Sequence, residues 1–94
     1  MIRSFKGKFA EPILQGRVVP KGFPADVARV ARRKLIMVDS AEFLEALSSP
    51  PGNRLEALKG DLRGKYSIRI NDQWRVVFRW NDAGPEDVEI VDYH

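Results

Sequence analysis

From Trp74 to Trp80 the chain alternates large apolar side chains with a second set containing two arginines. That period of two fits an extended strand with two unlike faces. Trp74, Val76, Phe78 and Trp80 point one way, and Arg75, Val77 and Arg79 point the other. The in-phase tryptophans are read as core, because large aromatic rows in register pack inward far more often than they serve as platforms for ligands. The arginines then mark the opposite, accessible face. A strand with one apolar and one polar face belongs in an antiparallel sheet covered on one side.

Neighbouring segments supply that sheet. Tyr66, Ile68 and Ile70 repeat the apolar phase beside Ser67 and Arg69, and Asn71-Asp72 reads as the tight turn between the two runs. Residues 55–58 read as a short strand and residues 60–64 as a turn. Asn81 to Pro85 is rich in turn formers, and a last strand is expected from about Val88 to Tyr93. Val88 and Ile90 continue the core row there, while Val91 and Tyr93 fall on the arginine side. Residues 2–6 alternate as a first or edge strand, and residues 9–14 allow a turn or two of helix.

The covering layer comes from the first half. After Pro24, a residue suited to a helix start, Val27, Val30, Ala31, Leu35 and Val38 recur at helical spacing, with Arg29, Arg32 and Arg33 outside the stripe. Asp39-Ser40-Ala41-Glu42 has the form of a capping box, which predicts a second, shorter helix carrying Phe43, Leu44 and Leu47. Ser48 to Asn53, with two prolines and a glycine, ends it. Two helices followed by hairpins predict an α+β fold, one domain spanning residues 1–94, with the helices packed on a small antiparallel sheet. At 94 residues and 44% hydrophobic content the chain has enough apolar surface for one core and too much for a disordered tail.

Charge is segregated along the chain. Residues 1–34 carry nine basic and two acidic side chains, and residues 54–79 carry seven and three. Residues 35–53 and 80–94 contain no lysine or arginine. A net charge of +3 therefore conceals basic surfaces suited to a polyanion. Arg29, Arg32 and Arg33 alone are equally an ordinary solvated helix face. With no cysteine and a single histidine, thiolate zinc sites, disulfides and cysteine nucleophiles are excluded. Asp82, Glu86, Asp87 and Glu89 surround a turn without metal-ligand spacing and read as a solvated loop. No leader-like or membrane-length apolar run is present, and a cytoplasmic protein is expected.

The chemistry these residues permit is metal-free RNA cleavage. Lys59, Arg69, Arg75 and Arg79, with Asp92, Tyr93 and His94 beside them, would face a substrate whose own 2′-hydroxyl attacks the adjacent phosphate. Arg75 and Lys59 suit charge stabilisation on the phosphorane, and Glu56, Asp92 and His94 are the available proton carriers. Tyr93 could stack on a base.

Several blocks are also familiar: Ser49-Pro50-Pro51-Gly52-Asn53-Arg54-Leu55-Glu56, Leu58-Lys59-Gly60-Asp61, Ser67-Ile68-Arg69-Ile70-Asn71-Asp72-Gln73-Trp74-Arg75 and Glu89-Ile90-Val91-Asp92-Tyr93-His94. Across essentially its whole length the chain resembles HigB-type killer toxins of the RelE/ParE superfamily. The resemblance implies a ribosome-dependent, metal-free mRNA endonuclease acting in the ribosomal A site, without a cofactor. It also implies neutralisation by a helix-turn-helix antitoxin of the HigA type. By position, Arg75 matches the arginine that stabilises the scissile phosphate. Asp92, Tyr93 and His94 match the terminal residues of cleavage and nucleotide placement, and Lys59 matches a basic active-site residue. Arg54, Lys59, Arg69, Arg79 and Tyr93 are the expected RNA contacts. One position departs: some relatives carry histidine three residues before the lysine, where this chain has Glu56. The same superfamily contains non-catalytic inhibitors of DNA gyrase, and a plain RNA-binding module is a third possibility.

Overall fold

A computed structural model describes residues 1–92; Tyr93 and His94 lie outside the described residues. In chain order the regular elements are α1 (Ala10–Leu14), α2 (Ala25–Ser40), β1 (Glu56–Ala57), β2 (Lys65–Arg69), β3 (Trp74–Asn81) and β4 (Gly84–Asp92). The strands form one antiparallel sheet in the order β1-β2-β3-β4. The helices cover one face, as the α+β pattern of the sequence requires.

The core lies between α2 and the inward rows of the sheet. Ala31, Leu35 and Val38 of α2 meet Ile68, Val76, Phe78, Val88 and Ile90, all buried. Removing side chains of this size from water stabilises by about 1.5 to 3 kcal/mol each. Phe23 packs on Trp74 with ring centroids 4.8 Å apart, and Phe9 meets the Trp74 ring edge-on at 6.0 Å. This cluster holds the start of α1 and the segment before α2 against the first residue of β3.

The turns close by side-chain chemistry. Asn71 Oδ1 accepts from the backbone N–H groups of Gln73 (2.9 Å) and Trp74 (2.8 Å), folding the β2–β3 connection. Asn81 Oδ1 likewise accepts from Ala83 N–H at 2.8 Å, and Asn81 pairs with Gly84 across a two-residue turn. Gly84 has φ +119°, and a Cβ there would stand 2.9 Å from the Met1 carbonyl oxygen, so only glycine fits.

Four expectations need correction. The expected helix start at Asp39 lies inside α2, which runs on to Ser40. Rather than capping, the Asp39 carboxylate accepts the Ile2 backbone N–H at 2.8 Å. The segment that follows forms only a 3₁₀ turn, Leu44–Ser48, with Leu47 buried. The N-terminal strand reduces to a parallel bridge between Phe5 and Val88, with three flanking backbone bonds to β4. Finally, β4 starts at Gly84 rather than Val88 and contains a bulge. Val77 pairs with Glu89 but Arg79 with Glu86, so Asp87 and Val88 together oppose Phe78. Asp87 sits at φ +52°, and its N–H is taken by Ser4 Oγ at 2.8 Å instead of a strand carbonyl. Ser4 thus replaces a strand partner at the bulge, while Val88 stays buried on the core side.

Candidate active site

Antiparallel partners project to the same face, so the register assigns the outward side of the sheet directly. Three rows cross it. The first is Arg69, Arg75 and Val91; the second Glu56, Ser67, Val77 and Glu89; the third Lys65, Arg79 and Glu86. The shared face of Arg69, Arg75 and Arg79 expected from alternation is present. Glu56 joins it through its pairing with Ser67.

Arg75 and Glu56 form the centre. The Arg75 side chain is only 14% exposed, and its guanidinium stands 3.7 Å from Glu56 Oε1, whose side chain is 52% exposed. This is a long contact, beyond hydrogen-bonding distance, between one sheltered and one solvated group. Glu56, Ala57, Leu58, Lys59 and Leu62 line a cleft of about 350 Å³. Lys59 also lines an adjoining cleft with Gly60 and Arg63. Arg75 thus stands beside Glu56, and Lys59 is exposed on a cleft that Glu56 also lines.

The other arginines are engaged elsewhere on the surface. Arg69 bonds Asp72 at the tip of the β2–β3 connection. That bond, then the charge of Arg69, then Arg54 nearby, hold the Asp72 carboxyl below its ordinary value of 3.8, partly opposed by desolvation. Arg54 is exposed and ends the Pro51–Asn53 turn in a left-handed conformation, φ +48°. Arg79 lies 3.7 Å from Asp87 of the bulge. Arg54 and Arg69 thus lie toward the β2–β3 tip, and Arg79 lies two rows beyond Arg75.

Asp92 is a correction. Its Cα pairs with Trp74, which places it on the opposite side of the sheet from Arg75, where Gln73 Nε2 donates to its carboxylate at 3.0 Å. The side chains of Arg75 and Asp92 therefore do not project to one face. The alternation that puts Val91 beside Arg75 necessarily turns Asp92 away. Tyr93 and His94 fall outside the described residues. Among the described residues no group of three or more His, Asp or Glu side chains could hold a metal ion, and no helix is long and apolar enough to cross a membrane.

Sequence reasoning missed three features of this face. Lys65, Ser67 and Val77 are buried although they lie on the outward side. In the sequence Lys65 and Ser67 are in phase with Arg69, a signal that was readable for position but not for burial. Asn53, read as part of a helix stop, is wholly buried and accepts from Lys34 Nζ at 2.5 Å. Its Nδ2 donates to the carbonyls of Leu47 (3.1 Å) and Ser49 (3.3 Å) and approaches Met37 Sδ at 3.7 Å. This residue ties the loop before β1 to α2 and so fixes where Glu56 begins. Burial, followed by the charges of Arg33 and Arg69, pushes the Lys34 ammonium below its ordinary 10.5.

A family model for the RelE-like toxin of the type II toxin-antitoxin system HigB matches residues 3–94. The chain belongs to the HigB-like toxin family. Toxin HigB-1 of Vibrio cholerae is 38% identical over 83 residues, covering 88% of this chain and 87% of the relative. Endoribonuclease HigB of Proteus vulgaris is 34% identical over 95 residues, covering all of both chains. A Haemophilus influenzae protein of uncharacterised function is 37% identical over 59 residues, 63% of this chain and 58% of the relative. As a HigB-like member of the type II class, the chain is one half of a toxin-antitoxin pair. The resemblance seen in the sequence blocks is thus confirmed at the level of the family, and the α+β architecture agrees with it.

Proposed function

We propose that the protein is an endoribonuclease that cleaves mRNA on the ribosome and thereby inhibits translation. The observation that carries this reading is the placement of sheltered Arg75 against Glu56, with Lys59 sharing the Glu56 cleft. A relative that is similar end to end is named an endoribonuclease.

The residues fit substrate-assisted cleavage. A phosphate entering beside Arg75 meets a planar guanidinium with donors that match two phosphate oxygens, a better partner than the 3.7 Å contact to Glu56. Glu56 then takes the proton of the 2′-hydroxyl as O2′ forms its bond to phosphorus. Arg75 and Lys59 offset the charge that builds on the phosphorane. As the P–O5′ bond breaks, the departing oxygen needs a proton. Asp92 lies across the sheet from Arg75, which leaves His94 as the assigned acid, with Tyr93 stacking on a base. The products are a 2′,3′-cyclic phosphate and a 5′-hydroxyl. Arg54 holds a flanking phosphate from its exposed position, and Arg69 and Arg79 do so by exchanging their carboxylate partners for RNA. Each is a surface group, so these contacts weaken as salt rises.

The partner is a helix-turn-helix antitoxin of the HigA type. Its contact surface is the exposed side of α2, where Arg29 and Arg32, with Ile13, Arg17, Val19 and Ala28, line a cleft of about 270 Å³. An apolar floor with an arginine rim suits an acidic amphipathic segment. The site of action is the cytoplasm, where ribosomes are.

The test is to map mRNA 5′ ends after induced expression. Cuts in codon phase carrying 5′-hydroxyl ends are expected. Growth arrest with intact mRNA and inhibited DNA supercoiling would replace this reading with gyrase poisoning. RNA binding without new ends would reduce it to a binding module.

A further inference from the structure

The Ser67 hydroxyl is the unexplained group on the outward face. It is fully buried, and its Oγ has no hydrogen-bond partner among the described residues. A buried hydroxyl left without a partner is uncommon, because it forfeits its bonds to water and gains nothing in return. The group cannot move far to find one. Its strand is paired on both sides, with Glu56 opposite it on β1 and Val77 opposite it on β3.

Its neighbours are the site itself. Arg75 lies diagonally across on β3, and Arg69 and Lys65 flank it on its own strand. Directly opposed side chains in an antiparallel pair have Cβ atoms about 4.5 to 5.5 Å apart, which the longer Glu56 side chain can span. In the present arrangement the Glu56 carboxylate leans toward Arg75 instead.

We infer that Ser67 is the positioning residue for Glu56, donating a hydrogen bond to its carboxylate once a substrate phosphate has taken Arg75. This rests on the endoribonuclease reading of the same site. Before substrate binds, the guanidinium holds the carboxylate by charge alone. When two phosphate oxygens claim the guanidinium, half-exposed Glu56 loses its cation, and a fixed donor is then needed to hold its carboxylate in one orientation. The Ser67 hydroxyl is the donor in reach with no bond to give up. A hydrogen bond to the ionised carboxylate favours the charged, proton-accepting form and leaves the second carboxylate oxygen for the 2′-hydroxyl. The fold thus keeps one hydroxyl unsatisfied in the free protein and satisfies it in the complex.

The experiment compares Ser67→Ala and Ser67→Cys with the parent on ribosomes programmed with a defined mRNA, measuring kcat and KM separately. Thermal unfolding is recorded for each variant. Both variants should unfold at or above the parental temperature, since the lost hydroxyl had no partner to lose. Their kcat should fall by about tenfold to a hundredfold, the effect of removing one hydrogen bond to a charged group, while KM holds. On a Glu56→Ala background, Ser67→Ala should change the residual rate by no further factor. Parental kcat in both Ser67 variants, or a loss confined to KM, overturns the inference. So does an equal loss on the Glu56→Ala background. If Arg75→Ala and Glu56→Ala also cleave at the parental rate, the reading of the site has failed. If those two are impaired and the Ser67 variants are not, only the role of Ser67 has failed.

Discussion

Replacing Asn53 by alanine should unfold much of the margin on which this domain rests. The side chain is fully buried and makes hydrogen bonds to three partners. It donates to the Leu47 and Ser49 carbonyls and accepts from the Lys34 ammonium. A neutral bond of this kind contributes about 1 kcal/mol and one to a charged group about 1.5 kcal/mol at the low end. The low end applies because half-buried Lys34 can turn back toward water. The loss is then about 3 to 4 kcal/mol, a large part of the stability of a small domain. For a domain of this size each kcal/mol moves Tm by about 4 to 8 °C, so a fall of about 12 °C or more is expected. Differential scanning calorimetry of the parent, Asn53→Ala and Asn53→Asp measures it. The aspartate keeps the lysine partner and loses both bonds to carbonyls, so it should also destabilise. A Tm loss below about 4 °C for Asn53→Ala, or a stable Asn53→Asp, would refute the assignment of Asn53 as the anchor of the loop before β1.

Two further outcomes follow from the local geometry. Asp72 titrates below its unfolded value of 3.8 because Arg69 bonds it. Its contribution to stability is therefore present above that value and lost as pH falls through the lower folded value. Asp72→Asn should flatten the stability profile by lowering the plateau above that acid window, a small loss for an exposed pair, and leave stability at the acid end unchanged, as acid titration of both proteins by circular dichroism will show. At the bulge, Asp87 occupies the left-handed region at φ +52°. Asp87→Gly should be tolerated and Asp87→Val should cost about 1 to 2 kcal/mol, read from urea midpoints.

The two-faced strand made most of the sheet legible, because a period of two determines both the extended backbone and which side chains share a side. The order of Tyr66, Ile68 and Ile70 against Trp74, Val76 and Phe78 follows from that period and from the Asn71 turn. The helix boundary at Asp39 was misread because a capping sequence can equally sit inside a helix when its carboxylate finds a better donor, here the Ile2 N–H. The position of Asp92 was misread for a similar reason. Consecutive residues at a strand end point to opposite sides, so Asp92 could not join Arg75 on the same face as Val91. Glu56 was legible as a departure from a familiar block, but its contact with Arg75 depends on β1 pairing with β2, a long-range event with only two paired residues to announce it. The burial of Ser67 and the anchoring role of Asn53 arise from tertiary packing and have no local sequence signal.

The most direct test of the central claim is single-turnover cleavage of ribosome-bound mRNA by Arg75→Ala, with Arg75→Lys beside it. Loss of one group that stabilises charge on the reacting phosphate corresponds to a fall of about a hundredfold to a thousandfold. Lysine should recover part of this, since it keeps the charge and loses the fork of donors. Thermal unfolding should show both variants folded, because the long contact to half-exposed Glu56 contributes little to stability. A folded Arg75→Ala protein that cuts mRNA at the parental rate would contradict the account.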